Sequence, residues 1–170
     1  KMLTQAHSMT QGNGIVYRRE DLETLSLSPN SFDLVYSSLA LHYLRDIARL
    51  FVTIYPVVNT GRHVGILCRV IPFILAPLNQ GWIKDKSGQL SWPVNHYQQE
   101  GERISNWFAE GVKKQHRKLA TWINALIAAG FEIVCVDEWG PSGQQIAENP
   151  ALDEEKERPM VFLLSARKPA

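Results

Sequence analysis

His96, Tyr97 and Glu100 lie within five residues of one another. An imidazole, a phenol and a carboxylate so close together can move a proton or position a reacting molecule, with a solvated loop the competing reading for each taken singly. Trp82, Trp92 and Trp107 flank them in sequence and either line a pocket or, being large, simply cover a small sheet. The basic run Lys113-Lys114-Gln115-His116-Arg117-Lys118 follows, suited to an anionic substrate or to a solvated helix face. Upstream, Asp21 and the small pair Ser37-Ser38 stand beyond short apolar runs. There a carboxylate serves as a ligand contact or as an ordinary turn residue. His42 falls in what reads as the first turn of a helix, facing a pocket or satisfied by backbone. No nucleophile-base-acid triad is visible. Cys68 and Cys135 have neither metal-site nor disulfide spacing; both fall in apolar runs that read as buried strands, which points to a reducing, cytoplasmic setting.

These groups need elements to hold them. Met2, Leu3, Ala6 and Met9 have helical spacing before Gly12 and Gly14, so residues 1 to 11 read as the end of a helix. Ile15-Val16-Tyr17 reads as a short strand leading to Asp21. Ser28-Pro29-Asn30 supplies the turn before a second strand, residues 32 to 36, that ends at Ser37-Ser38. Residues 39 to 55 place Leu41, Leu44, Ile47, Leu50, Phe51 and Ile54 at helical spacing, with Asp46 near a helix start. Gly61 ends that unit and residues 64 to 70 read as a buried strand. Alternating strands and helices predict a parallel α/β sheet with right-handed crossovers. The pattern breaks between residues 78 and 112, a polar, aromatic, turn-rich stretch too long for a simple connection and therefore expected to be an insertion or lid. Residues 118 to 129 return to helical period and stop at Gly130. Residues 131 to 136 and 160 to 166 read as the last two strands of a single domain spanning 1 to 170.

Asp21-Leu22-Glu23 and Ser31-Phe32-Asp33-Leu34-Val35-Tyr36-Ser37-Ser38-Leu39-Ala40-Leu41-His42-Tyr43 resemble the middle motifs of class I S-adenosylmethionine (SAM)-dependent methyltransferases of the methyltransferase-11 type. The resemblance continues in order through Gly81-Trp82, Trp92-Pro93-Val94, Tyr97, Glu100-Gly101, Gly111-Val112 and Ala128-Ala129-Gly130-Phe131, and so covers nearly the whole chain. It implies a Rossmann-like sheet, mostly parallel with an antiparallel last strand, and SAM as cofactor. In the family an acidic residue and the apolar one after it meet the adenine, and small residues ending the fourth strand adjoin the methionine part. Carried over, these roles fall on Asp21, Leu22 and Ser37, with His42 beside them at the cofactor. His96, Tyr97 and Glu100 become the acceptor-side candidates for catalysis. The family's first strand, glycine-rich loop, first helix and second strand find no counterpart. Gly12-x-Gly14 follows a helix and precedes a strand, the reverse of a cofactor loop. The chain is accordingly expected to be N-terminally truncated, without the first two strands, and inactive alone.

The reaction implied is transfer of a methyl group from SAM to a small-molecule acceptor. In such an in-line displacement the protein mainly aligns the partners and, where needed, removes a proton. The rival reading is a non-catalytic interaction module or a decayed remnant, with residues 78 to 112 as its contact surface. Lys plus Arg (18) and Asp plus Glu (17) leave a net charge of +1 in 170 residues, so no global field favours nucleic acid or an anionic membrane. The longest apolar stretch, residues 64 to 78, is interrupted by Arg69, Pro72 and Pro77 and falls short of the roughly 20 residues a span needs. No metal is expected. Sheet edges left unpaired would favour self-association.

Overall fold

The structure, a computed structural model, describes residues 2–12, 14–61, 65–106 and 109–170. The most regular helix-forming signal lies at α2, Ile47–Ile54. Asp46 caps it by accepting the backbone N–H of Arg49 at 2.9 Å, which satisfies a donor the first turn leaves free. Ile47, Leu50, Phe51 and Ile54 are spaced for one face, and all four are buried.

They pack on a four-stranded sheet. Its strands are β1 (Val35–Ser38), β2 (Ile66–Val70), β7 (Glu132–Trp139) and β8 (Val161–Arg167), in the order β1-β2-β8-β7. β1 and β2 pair in parallel. β8 enters between β2 and β7 and is antiparallel to both. The last strand is antiparallel, as expected, but the sheet is not mostly parallel: parallel pairing is confined to β1 with β2, because β8 separates β2 from β7. Ile66, Cys68 and Val70 of β2 and Phe162, Leu164 and Ala166 of β8 alternate onto one face, as the two-residue strand period requires. With α2 and with Trp122 and Leu126 of helix α4 (Leu119–Ala128) they form the main core. Each large side chain so buried contributes roughly 1.5–3 kcal/mol. On the other side of the strand ends, Ile71, Ile74, Leu75 and Val161 form a smaller cluster. It is organised by the short helix α3, Pro72–Leu75.

Gly130 ends α4 with φ of 101°, and a Cβ there would lie 2.9 Å from the Tyr55 ring. Only glycine meets both conditions without strain.

Several expectations are corrected. Helix α1 (Met2–Met9) forms as expected but buries nothing. Ile15-Val16-Tyr17 is not a strand, since no described strand lies alongside to take its ladder hydrogen bonds; Ile15 and Val16 stay exposed. The strand expected at 32 to 36 narrows to β1, with Phe32 making only an isolated bridge to Val58. The helix expected at 39 to 55 begins late, after a separate 3-10 turn at Leu41–Tyr43. Cys68 is buried but Cys135 is exposed, because β7 is an edge strand whose residues are mostly exposed.

Residues 78 to 112 are not structureless. They hold the paired β3 (Ile83–Lys84) and β4 (Leu90–Ser91) and the strand β5 (Gly101–Ser105). The basic run is no helix face either. It supplies β6, Val112–His116, which pairs with β5 and turns Lys114 and His116 inward by strand alternation while Lys113 faces out. The polar stretch from 139 to 159 contains helix α5 (Gly143–Glu148), closed by a capping box between Ser142 and Gln145, and the 3-10 helix Pro150–Lys156. No described helix is long and apolar enough to cross a membrane.

Candidate active site

β1 ends at Ser38, and Leu39 follows with φ of 54°, a left-handed conformation that a branched apolar residue adopts only under constraint. The turn swings the chain inward, and the next 3-10 turn carries His42 into the interior, where it is 3% exposed. Its ring lies 4.4 Å from that of Tyr43, and its Nε2 has no hydrogen-bond partner. Burial first, and then the charges of Lys114 and Arg117, push its pKa down to about 4. A neutral imidazole with one buried nitrogen unused is left at the carboxyl end of β1.

The segment of Asp21 and Leu22 is tied through Glu23 to the chain that follows His42. Asp21 accepts the N–H of Glu23 at 2.9 Å in an Asx-type turn. Glu23 in turn accepts the N–H of Arg45 at 2.6 Å, three positions past His42. Leu22 is partly buried against the main core, whereas Asp21 is exposed. Ser37 is partly buried and pairs across the ladder with Cys68 of β2.

Tyr97 and Glu100 are brought together elsewhere, at the start of α4. The Tyr97 hydroxyl accepts the N–H of Leu119 at 2.9 Å. Glu100 accepts the N–H of Lys118 at 2.7 Å and the hydroxyl of Thr121. Burial would raise the Glu100 pKa, but these hydrogen bonds and the nearby cations carry it below the usual range. His96 is exposed in a left-handed turn (φ 63°) with Nδ1 3.2 Å from Gln99 Oε1. From β6, His116 Nε2 meets the Tyr97 carbonyl at 2.9 Å. Arg117 donates to the carbonyls of Leu44 and Arg45, and its guanidinium lies over the Trp122 ring. The ionisable side chains buried most fully are His42, Arg103, Lys114, His116, Arg117 and Arg158. No described Asp or Glu is as deep.

A third group was not legible in sequence. Arg158 stacks over Trp92 at 4.3 Å and Trp82 at 4.9 Å, and pairs with Glu155 at 2.7 Å. Trp92 also donates to the Phe73 carbonyl at 3.1 Å. Trp92 therefore packs and lines a pocket at once, while Trp82 packs edge-on against it; Trp107 lies outside the described residues. Beside them is a cavity of about 370 Å³ bordered by Ile74, Gln80, Trp92, Ser105, Arg158 and Met160 among others. The spacing of Trp82 and Trp92 hinted at it. Nothing in the polar run around Arg158 did.

The sequence profile described as a methyltransferase domain matches residues 1–65. A Haemophilus influenzae protein described as uncharacterized is 33% identical over 180 residues, an alignment covering 99% of this chain and 68% of that one. The crystal structure of an S-adenosylmethionine-dependent methyltransferase from Mesorhizobium loti superposes with a TM-score of 0.91 at 44% identity, over 98% of this chain and 76% of the other. A second structure, from Listeria monocytogenes, gives 0.87 at 32% identity, over 99% and 76%. Likeness of this extent in both sequence and backbone means that the chain belongs to the S-adenosylmethionine-dependent methyltransferase family.

Proposed function

We propose that the protein transfers a methyl group from SAM to a small-molecule acceptor, with the cofactor held beyond the carboxyl ends of β1 and β2. The observation that carries this reading is the match of 98% of this chain to 76% of the Mesorhizobium loti methyltransferase, and it is family membership rather than fold alone that favours an enzyme over an interaction module. Ligands of α/β sheets bind at that edge, and the unused buried nitrogen of His42 there suits a polar ligand. The bound cofactor supplies an electrophilic methyl group on its sulfonium.

The chain's residues do the rest. Asp21 accepts a hydrogen bond from the adenine amine, and Leu22 offers its backbone N–H and side chain to the ring. Ser37 and His42 adjoin the methionine portion. Tyr97 and Glu100 act by positioning, holding the insertion against α4. His96, exposed like Glu100, is left as the candidate to face the acceptor. The test is calorimetric titration with S-adenosylhomocysteine. Asp21→Ala is expected to weaken binding by roughly 1.5–3 kcal/mol, the range for a hydrogen bond to a charged group; unchanged affinity would remove Asp21 from the site.

A further inference from the structure

We propose that the cavity beside Trp92 is the acceptor site and that it takes a small, largely apolar molecule bearing a carboxylate. The inference rests on the methyltransferase reading above and adds the substrate class. Position is the first argument. Ile74 belongs to α3, which follows β2 directly, and Met160 precedes β8, whose Phe162 pairs with Val70 at the end of β2. The cavity therefore opens at the carboxyl edge of the sheet, where the cofactor is placed. Its volume of about 370 Å³ is within the range of small-molecule sites. Ile74, Trp92 and Met160 give it apolar walls.

The polar groups decide the chemistry. Arg158 spends both terminal nitrogens on Glu155, and its Nε is buried with no partner. Gln80 Nε2 is buried and unpartnered as well. Both are donors, and donors left buried without acceptors are costly. Gln80 and Arg158 both line the cavity, and a ligand with two acceptor oxygens answers both donors once these side chains turn their N–H groups toward it. Charge then separates a carboxylate from a neutral amide. Glu155, the acidic group of the lining, is engaged by Arg158, while the Lys114 ammonium donates to Ser105 Oγ on the cavity wall at 3.4 Å. Arg103, Lys114 and Arg117 are buried cations, and no described Asp or Glu is buried as deeply, so the interior offers an anion a favourable potential.

Calorimetric titration of the protein with benzoate, and with benzamide as its neutral isostere, tests the inference. Benzoate should bind saturably and at least tenfold more tightly than benzamide. Gln80→Leu should weaken benzoate about tenfold and leave the affinity for S-adenosylhomocysteine unchanged. Benzoate failing to bind, binding no more tightly than benzamide, or binding Gln80→Leu as well as the native protein would each overturn the inference. The benzoate and benzamide contrast needs no variant, so it decides the matter even if Gln80→Leu does not fold. Failure of S-adenosylhomocysteine to bind, read in its own titration, would instead overturn the cofactor reading.

Discussion

Replacing His42 by glutamine removes a group that the fold keeps unprotonated far below its ordinary range. An unfolded histidine titrates near 6.5, whereas His42 in the fold takes up its proton only near 4. Between those values the unfolded chain binds the extra proton, so stability must rise with pH across the window. It is complete above about 6.5 and lost as pH falls toward 4. At roughly 1.4 kcal/mol per tenfold change in proton affinity, the full loss is about 3 kcal/mol. Lys114 and Arg117 keep their charges throughout and oppose protonation over the whole range. The assay is urea unfolding of the native protein and His42→Gln at pH 7, 6, 5 and 4. The gap between the two curves should shift in favour of the variant by about 3 kcal/mol as pH falls. Curves that stay parallel would refute the argument, as would an NMR titration showing the His42 ring protonated at pH 6.

Glu100→Ala and Tyr97→Phe should each lower stability by about 1 kcal/mol, the usual cost of losing a helix cap, with affinity for S-adenosylhomocysteine retained; loss of that affinity in both would show that they touch the cofactor. Exposed Cys135 should be alkylated in the native protein, while Cys68, buried and with its thiol pushed up to about 12 by that burial, should react only on unfolding. Mass spectrometry after brief iodoacetamide treatment reads both, and early modification of Cys68 would contradict its place in the core.

What could be read in the sequence was what short-range periodicity carries. The spacing from Leu41 to Ile54, the Asp46 cap, the stop at Gly130 and the alternation in the last strand all express local rules, and they appear in the structure within a few residues. Ile15 to Tyr17 has strand-like composition, but a strand needs a neighbour, and composition does not show whether one lies alongside. The run from Lys113 to Lys118 misled because six polar residues suggest solvent, whereas strand alternation together with packing by the 3-10 turn near His42 draws Lys114 and His116 inside. His42 could be singled out from its neighbours, but its neutrality depends on Lys114 and Arg117, more than seventy positions away. Gln80 and Arg158 share a cavity wall only because the chain returns after β7, a pairing without local signature.

The first turn of α4 takes its capping groups from Glu100 and Tyr97 rather than from its own chain neighbours. The segment that would select the acceptor is thereby also a splint for a core helix, and the two cannot be altered independently. Grafting a relative's segment onto this scaffold to change its acceptor would unravel the head of α4, unless the incoming sequence brought a carboxylate and a phenol at matching positions.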